Sequence, residues 1–578
     1  MSANHNSMPI YKLVGIYTLT HNSIVLIVGD VETLIVLGLF LVVSRVQDSK
    51  LNTSYSCLAC SPNGVSRTVL LTADMSDSDI MKIAFEAGLV IHHKAHFLKY
   101  IKQALSQAHI QNEEHQQLVE PMGWIGDDCK AFNTGEETIC NPEFDLTGYH
   151  VERNPDTPLK SKGTLQQWKT NVGVHIQASL IALVVACFSM LSIILPLLGM
   201  SSRLVNIWGT KGLGKTLLLQ LAATIFGNGI DPASGAASKV APYIAKADST
   251  KCALDILLSA YSPFPLLLDE LTEAQVDALY QMLYQVASGK GKNRARSNIT
   301  AQAQKVWILS VLTTSEKSIA EILADGNKNF MGGQADRAID VPINDLGIFT
   351  QLSGFKNVYE LQGHLKKVTG LYYGTPGDTL IRYIVNNPNE AQKVFDRLDE
   401  FETRLVPVGC DAGQRRVIKH IAGALLAGYL ARQAGILTCS TEVLDNAFEE
   451  VVQAWWKGQT PQCMVDIGAF IEDNAENITW EEPNPNSSDV AFISGDLLII
   501  RADVFERHFA HNIRDILKQL KSHQALRQEQ KNRCKSRHCN NKLDTYDLHL
   551  ARITPHMSAE LREALETKRP FLSEESQA

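Results

Sequence analysis

The sequence predicts an α/β protein with a largely parallel sheet, and two observations lead to this class. Helical segments and apolar strand segments alternate between residues 166 and 350, which is typical of strands joined by crossover helices. The segments are helix 178–198, strand 204–208, helix 215–226, strand 266–268, helix 273–287 and strand 306–312. The composition, 45% hydrophobic and 20% charged in 578 residues, excludes a disordered polyelectrolyte and a membrane bundle.

The rest of the chain divides by its local patterns. β-prone runs at 24–28, 34–43 and 65–72 and helical runs at 77–89 and 97–109 predict an α+β N-terminal region. Polar residues and two prolines near residue 480 predict a linker. The predicted regions are an α+β part (1–115), a strand-rich connection (116–165), an α/β core (166–350), a helical domain (351–473), a linker (474–489), a winged-helix-like basic domain (490–556) and a tail (557–578).

Charge, hydropathy and cysteine content indicate how the protein could contact nucleic acid, whether it spans a membrane and in which compartment it lies. The formal net charge is −8, so any contact with nucleic acid must come from a local patch. Residues 179–200 carry no charge over a length that could span a membrane, but a fully buried core helix has the same pattern and is the preferred interpretation. Eleven cysteines without a secretory pattern favour reduced thiols in the cytoplasm. Zinc at Cys57/Cys60 or Cys534/Cys539 stays open.

The strongest motif is Gly209-Thr-Lys-Gly-Leu-Gly-Lys-Thr216, a full match to the phosphate-binding pattern G-x4-G-K-[ST]. It follows an apolar strand and precedes a helix, as its mechanism requires. Gly209, Gly212 and Gly214 let backbone N–H groups curl round a phosphate, and the helix N-terminus adds its positive end. We expect Lys215 to bridge the β- and γ-phosphates of ATP and the Thr216 hydroxyl to ligate Mg²⁺.

Two carboxylates, Asp269 and Glu270, follow the apolar strand that ends at Leu268. Adjacent residues at a strand end point to opposite sides of the sheet, so the two acids can have different roles. We expect Asp269 to hold Mg²⁺ and Glu270 to orient the attacking water. A solvated strand end is the simpler alternative, but the order of the motifs favours hydrolysis.

Two further side chains are candidates for contact with the γ-phosphate. Thr314 ends the next strand and could sense the phosphate, although a threonine there could equally cap a helix. Arg337 lies in a loop rich in glycine and could neutralise transition-state charge in its own subunit or a neighbour's. A surface ion pair with Asp336 or Asp340 is the alternative for Arg337.

Two basic elements are candidates for contact with nucleic acid. One is the loop 289–296, whose cations Lys290, Lys292, Arg294 and Arg296 suit sequence-independent binding of a phosphate backbone. The other lies between Arg514 and Lys542 and includes Lys518, Lys521 and Arg527. A helix there has an apolar stripe, so its cations face solvent, and a basic turn and a strand predicted over 543–553 follow. An ordinary charged surface loop is the alternative for residues 289–296, and a protein-docking surface is the alternative for the element between Arg514 and Lys542.

The ordered set of motifs resembles an uncharacterised family of P-loop proteins of phages and integrative elements, classed as primase-helicases or as inactivated superfamily II helicases. The resemblance runs from about residue 39 to residue 556. Beside the phosphate loop and the two acids it includes Gly123-Trp124, residues 163–168, the apolar helix ending at Pro196, loop 289–296, residues 313–316, residues 333–342 and the helix around 423–431. It implies a RecA-like or AAA-like ATPase core that is oligomeric and acts in replication of a mobile element.

The sequence departs from that family in two ways. Ser315 stands where the family usually has glycine, and no primase constellation precedes residue 120, so priming would need a separate chain. The leading hypothesis is an ATP-driven DNA helicase working with a primase. An ATP-dependent switch or loader of a partner protein is the alternative. An inactivated helicase is disfavoured because Lys215, Thr216, Asp269 and Glu270 are all present.

Overall fold

The computed structural model describes most of the chain, and it forms two compact units. The first contains residues 1–157 together with 381–388, and the second contains residues 158–380 and 389–578. Outside the described residues lie 1–12, 15, 49–51, 73–74, 112–115, 120–121, 234–240, 247–250, 272–275, 292–304, 326–336, 344–347, 350, 408–409, 460–461, 481–488, 512, 523–524, 528–534, 539–542, 555–556, 558–561 and 564–578.

Up to residue 157, the described residues of the first unit form two five-stranded sheets, a small three-stranded sheet and two helices. The sheet orders are β1-β2-β3-β4-β8, β13-β9-β5-β6-β7 and β10-β11-β12. The elements are β1 Leu13–Val14, β2 Tyr17–Leu19, β3 Ser23–Val28, β4 Val31–Leu37, β5 Leu39–Gln47, β6 Thr53–Cys60, β7 Ser66–Thr72, α1 Asp77–Glu86, β8 Val90–Ile91, α2 Lys94–Gln111, β9 Gln116–Val119, β10 Gly123–Trp124, β11 Ala131–Asn133, β12 Thr138–Cys140 and β13 Tyr149–Val151.

Local sequence explains several boundaries in this unit. Ser76 caps α1 through a capping box with Asp79, as the predicted helix start requires. The predicted strand 34–43 is divided at Gly38 into β4 and β5. Gly38 has a φ of 108°, which suits glycine, and an added Cβ there would lie 2.4 Å from Leu89 Cδ2. Strands β9 and β13 join the sheet of β5–β7, so the border predicted at residue 115 runs through one sheet.

The second unit begins with a helical segment and a parallel sheet. The elements are α3 Leu165–Trp168, α4 Val174–Gln177, α5 Leu180–Ile194, β14 Arg203–Trp208, α6 Lys215–Ala223, β15 Ala245–Lys246, α7 Lys251–Tyr261, β16 Leu266–Asp269, α8 Val276–Ser288, β17 Ser310–Ser315, α9 Ile319–Asp325 and β18 Ala338–Pro342. The sheet order is β15-β16-β17-β14-β18, and every pairing between these strands is parallel. The predicted mixed α/β class is confirmed, and the carboxyl ends of β14, β16 and β17 meet at one edge.

Helix α5 occupies the centre of the apolar segment 179–200. It is shorter than predicted because Ser179 caps its start and the helix ends before Pro196. Its residues 181–194 are buried. Among the described residues no single helix is long and apolar enough to cross a membrane, although the bent pair Leu165–Gln177 and Leu180–Ile194 passes a test of length and composition.

Strand β17 begins four residues later than the predicted strand 306–312. Residues 289–291 pair instead with residues 305–307, since Gly291 N–H donates to Lys305 O (2.8 Å) and Trp307 N–H donates to Gly289 O (3.0 Å). An isolated antiparallel bridge between Lys290 and Val306 continues this pairing. Gly291 and Lys305, which flank residues 292–304, are therefore held side by side.

The elements after β18 are helices and then a further five-stranded sheet, and of their residues 381–388 belong to the first unit and the rest to the second. They are α10 Val358–Val368, α11 Thr375–Asn386, α12 Pro388–Phe395, α13 Leu398–Leu405, α14 Ala412–Gln433, α15 Thr441–Gln459, α16 Gln462–Asp473, β19 Ile478–Thr479, β20 Ala491–Ser494, β21 Leu497–Arg501, α17 Ala502–His508, α18 Ile513–Ser522, β22 Ser536–His538, β23 Leu543–His549 and α19 Leu550–Ile553. The strand order is β19-β20-β21-β23-β22. Strand β19 lies inside the predicted linker, and the strand predicted over 543–553 ends at His549, where α19 begins.

Candidate functional site

The loop Gly209–Thr216 connects β14 to α6 at the carboxyl edge of the parallel sheet. Gly212 and Gly214 have φ angles of 86° and 92°, in the left-handed region where residues with a Cβ are strained. Gly214 is also the N-cap of α6 and makes no side-chain cap. The loop conformation thus explains the two glycines, and the unpaired N–H groups of the first turn give its end a partial positive charge.

Lys215, the first residue of α6, folds back over the loop. Its ammonium group donates to the carbonyl oxygens of Gly209 (2.6 Å) and Thr210 (2.9 Å). Partial burial lowers the pKa of Lys215, while Glu316, Asp269 and Glu270 raise it and offset part of this effect. The ammonium is therefore held at the mouth of the loop by carbonyl oxygens, with three carboxylates around it.

Thr216, Asp269 and Thr314 meet at a single carboxylate oxygen. Asp269 Oδ1 accepts a 2.6 Å hydrogen bond from the Thr314 hydroxyl and a 3.3 Å bond from the Thr216 hydroxyl. Thr314 Oγ1 in turn accepts a 3.0 Å bond from Glu270 N–H. The helix-cap alternative for Thr314 does not hold, because Ser318 makes the capping contacts with Glu321 at the start of α9.

Asp269 and Glu270 line the same cavity instead of opposite sides of the sheet. The physical reason is local, since β16 ends at Asp269 and Glu270 adopts a left-handed φ of 63°. A left-handed residue breaks the alternation of a strand. Asp269 is half-buried and Glu270 is exposed, so the two carboxylates differ in their access to solvent.

The cavity has a volume of about 810 Å³ and an interior rich in charge. A volume of this order accommodates a ligand of several hundred daltons. Four lysines and four acids contribute to its wall: Lys211, Lys215, Lys317, Lys366, Asp231, Asp269, Glu270 and Glu316.

Sequence reasoning missed part of this wall. Gln220 lies one helical turn beyond Thr216, is 1% exposed, and neither its Oε1 nor its Nε2 has a hydrogen-bond partner among the described residues. The sequence feature that could have indicated Gln220 is its position as a single polar residue within the apolar run of α6. Gln362 and Lys366 come from α10, and Gln362 Nε2 lies 3.7 Å from where a Cβ on Gly214 would be. No motif connects α10 to the loop.

Arg337 lies just before β18 and is not among the residues that line the cavity. Its guanidinium stacks 4.4 Å from the centre of the Tyr284 ring on α8. Tyr284 is 42% exposed, so this cation–π pair is at the surface of the unit. Within its own chain Arg337 is therefore directed toward α8.

The two predicted basic elements are described in part. Lys290 is exposed, whereas Lys292, Arg294 and Arg296 lie outside the described residues. In the C-terminal element Arg514 and Arg527 are exposed, and Lys521 is half-buried. The predicted apolar stripe of α18 is buried at Ile516 and Leu520. Lys518 belongs to the same helix.

Acids neutralise part of the C-terminal element. Lys535 pairs with Glu506 at 2.5 Å, and Arg537 pairs with Asp544 at 3.2 Å. Exposed ion pairs add little stability, but they lower the local positive charge. The free cations of the described part are thus concentrated on α18 and at Arg527.

The cysteines have no metal-binding geometry among the described residues. No group of three or more His, Cys, Asp or Glu side chains there could hold a metal ion. Cys57 is buried on β6, and Cys60 is half-buried. Cys534 and Cys539 lie outside the described residues.

The chain is similar to one protein family and to solved structures. Residues 34–306 match the family model named Domain of unknown function (DUF927). This range covers the loop Gly209–Thr216 and the acids Asp269 and Glu270. No curated protein matches the chain.

A solved structure, described as "SCCmec type IV Cch - active helicase", has a similar fold. The TM-score is 0.61 at 16% sequence identity, and the similarity covers 94% of this chain and 99% of that one. The chain therefore shares, over nearly its full length, the fold of a protein described as a helicase. At this identity the similarity concerns the fold alone.

Proposed function

We propose that this chain is an ATP-hydrolysing nucleic-acid motor, a DNA helicase that acts in replication of a mobile element. The observation that carries the proposal is the convergence of Lys215, Thr216, Asp269, Glu270 and Thr314 on one cavity at the carboxyl edge of a parallel sheet. Ligands of open parallel α/β sheets bind at this edge. The shared fold with a protein described as an active helicase supports the choice of reaction.

The cavity fits a nucleoside triphosphate in charge and in hydrogen-bonding capacity. The left-handed glycines Gly212 and Gly214 leave the loop backbone open to a close-lying phosphate, and α6 begins directly behind it. Lys215 already faces carbonyl oxygens that phosphate oxygens could replace as acceptors. The buried amide of Gln220 has no hydrogen-bond partner among the described residues, which favours a polar occupant in this cavity.

Thr216 and Asp269 suit a magnesium ion that accompanies the nucleotide. Hydroxyl and carboxylate oxygens are the ligand types that Mg²⁺ prefers, and these two oxygens are 3.3 Å apart. When bound, the ion would neutralise charge on the β- and γ-phosphates. Thr314 would then keep the Asp269 carboxylate oriented through its hydrogen bond to the same oxygen.

Glu270 is the proposed group that orients the attacking water. It is exposed to the cavity, and its backbone N–H is fixed by the Thr314 hydroxyl. A carboxylate that accepts a proton from water must lie within hydrogen-bonding reach of it, and Glu270 shares the cavity wall with Lys215. Arg337 would complete the charge stabilisation from a neighbouring subunit, since within its own chain it stacks on Tyr284.

Nucleic acid is the proposed second ligand. Residues 289–291 and 305–307, which flank residues 292–304, pair with each other between α8 and β17. The cations of loop 289–296 would therefore follow the nucleotide state. The α18 surface with Arg514, Lys521 and Arg527 would anchor the strand. The winged-helix assignment stays a prediction, because residues 528–534 and 539–542 lie outside the described part of this domain.

A second candidate function is an ATP-dependent switch that loads or releases a partner protein. The observation that favours it is the pairing of Lys535 with Glu506 and of Arg537 with Asp544, which removes cations from the predicted nucleic-acid surface. Mixed charge is more typical of protein-docking surfaces. Both functions share the ATPase site.

The ATPase rate with and without single-stranded DNA, measured beside fork unwinding, separates these functions. The motor proposal expects stimulation by DNA and unwinding that stops in Lys215→Ala. A chain that hydrolyses ATP but neither responds to DNA nor unwinds it supports the switch. A chain without hydrolysis under any of these conditions overturns both.

A further inference from the structure

A buried polar cluster crosses the middle of the parallel sheet behind the cavity. Asn206, at the centre of β14, is fully buried, and in the strand register it lies opposite Thr313 of β17 on one side and Asp340 of β18 on the other. Central strands of a parallel sheet are normally apolar throughout. The presence of three polar residues in one row of this buried sheet therefore calls for an explanation other than core packing.

Asn206 makes a hydrogen bond in each direction across the sheet. Its Nδ2 donates to Asp340 Oδ1 at 2.7 Å, and its Oδ1 accepts from Thr313 Oγ1 at 3.2 Å and from Ser315 Oγ at 3.0 Å. The described partners thus use both the donor and the acceptor side of the amide. Ser315 stands at the position where glycine was expected, and its hydroxyl shares its one proton between Asn206 Oδ1 and the carbonyl oxygen of Lys317 at 2.5 Å.

Two members of the cluster flank Thr314, the residue that contacts Asp269 and Glu270. Thr313 and Ser315 point toward Asn206, while Thr314 between them points the other way, to Asp269. Ser315 also accepts a 3.3 Å bond from Gly209 N–H at the start of the loop. The position of Thr314 is therefore set by bonds on both of its neighbours.

Asp340 extends the cluster to α9. Its two carboxylate oxygens accept from Ile319 N–H at 3.1 and 3.0 Å, at the first residue of that helix. Ile322 of α9 lines the cavity. Asp340 also belongs to β18, which begins directly after Arg337. One carboxylate thus connects the strand next to Arg337 with a helix of the cavity wall.

We propose that Asn206 and Asp340 are positioning residues, which hold the carboxyl end of β17 so that the Thr314 hydroxyl stays on Asp269. The proposal rests on the proposed ATPase function. Stability alone does not explain the pair, because apolar residues of similar size in a sheet core are usually at least as stable as a buried polar pair. A fully bonded polar cluster does specify geometry.

The first test is Asn206→Asp, which removes the amide donor to Asp340 and sets a second carboxyl group against it. Loss of this hydrogen bond should shift β17 and lower kcat by about 10- to 100-fold, the range that a small misplacement of catalytic groups costs. Nucleotide affinity, measured with a fluorescent ATP analogue, should change by less than about threefold, since the loop Gly209–Thr216 is intact. A purely structural role would lower thermal stability and leave kcat per folded molecule unchanged.

The second test is the exchanged pair Asn206→Asp with Asp340→Asn. In this variant the carboxylate introduced by Asn206→Asp can accept from Thr313, Ser315 and the new amide. The single oxygen of the amide introduced by Asp340→Asn can still accept one bond from Ile319 N–H, so each link of the cluster can re-form. We expect kcat to recover to within about threefold of wild type. Ser202→Ala is the matched control, because it removes a buried 3.0 Å bond to Leu309 N–H at the opposite end of β17 and should lower stability without lowering kcat.

The outcomes separate this inference from the proposed function. If wild type hydrolyses ATP and Asn206→Asp keeps its kcat, or the exchanged pair does not recover it, the positioning role is wrong and the ATPase stands. If Ser202→Ala loses as much kcat as Asn206→Asp, the effect is structural and the positioning role is again wrong. If wild type does not hydrolyse ATP, the proposed function fails and the positioning role fails with it.

Discussion

The Thr314 hydroxyl donates a 2.6 Å hydrogen bond to Asp269 Oδ1. The same hydroxyl oxygen accepts from Glu270 N–H, so one side chain contacts both acids at the end of β16. Thr314 is 2% exposed and cannot turn to solvent without losing both bonds. A residue in this position transmits any movement of β17 to the carboxylates of the cavity.

Replacing Thr314 tests this relationship directly. Thr314→Val keeps the shape but removes the hydroxyl, which should lower kcat by about 10- to 100-fold and leave nucleotide affinity nearly unchanged, because the phosphate loop is untouched. Steady-state ATPase kinetics and a nucleotide-binding titration check this. Thr314→Ser, which keeps the hydroxyl, is the control. Equal loss in both variants would contradict the role of the hydroxyl.

Variants of Lys215 and Glu270 should lose ATP turnover for different reasons. Lys215→Ala removes the counter-charge of the phosphates, so ATP binding and turnover should both be lost. Glu270→Gln removes only the group that orients water, so the protein should bind ATP tightly and turn it over at least about 100-fold more slowly. Equilibrium binding and single-turnover hydrolysis distinguish them. Hydrolysis at the wild-type rate in Glu270→Gln would exclude this residue as the base.

Arg337 should act between subunits. If it reaches a neighbour's γ-phosphate, specific activity should rise cooperatively with protein concentration, and mixing Arg337→Ala chains with wild type should reduce activity more than dilution does. Wild type mixed with Lys215→Ala is the comparison for a defect within one subunit. A monomer that is fully active at working concentration, by size-exclusion chromatography with ATP, would end this proposal.

Variants of the two basic elements should affect different properties, one the affinity for DNA and the other the coupling of ATP hydrolysis to unwinding. Reversing the charges of Lys518, Lys521 and Arg527 should weaken binding of single-stranded DNA and flatten its salt dependence, because fewer counterions are released. ATP turnover without DNA should persist. Neutralising Lys290, Lys292 and Arg294 should uncouple hydrolysis from unwinding while much of the affinity remains. Unchanged DNA affinity of the C-terminal variant at every salt concentration would favour the partner-protein switch.

Asp340 should make stability depend on pH. Burial raises the pKa of Asp340 to about 7, with a further increase from Glu321, against the lowering effect of its bonds to Asn206 and Ile319. Because the folded chain retains this proton longer than the unfolded chain, the stabilisation is complete below about pH 4 and is lost toward pH 7, at up to about 1.4 kcal/mol per pH unit.

Thermal unfolding of wild type and Asp340→Asn across this pH range checks the sign. The difference between their midpoints should change steadily with pH, since only wild type carries the titrating carboxyl. Asp325→Asn, which removes an exposed acid paired with Lys317, is the control and should run parallel to wild type. Parallel profiles for Asp340→Asn would show that Asp340 does not titrate in this range.

The loop and the two acids could be located from the sequence because their chemistry depends on residue types at fixed local spacing. Glycines that must adopt left-handed φ angles, and acids at a strand end, are visible in any window of a few residues. The apolar stripe of α18 was visible for the same reason, since Ile516 and Leu520 are buried as its helical period requires. The left-handed conformation of Glu270 had no such signal.

By itself the sequence determined the α/β class, the phosphate-loop motif and the candidates Asp269, Glu270 and Thr314, because local periodicity and motif spacing are written along one stretch of chain. Only the tertiary structure decided that Asn206 contacts Asp340 across 134 positions, that Gln362 and Lys366 complete the cavity wall, and that Arg337 stacks on Tyr284. These contacts follow from strand register and from packing between distant segments. A parallel sheet aligns residues that share no local pattern, so hydrogen bonding and burial select them only once the strands are side by side.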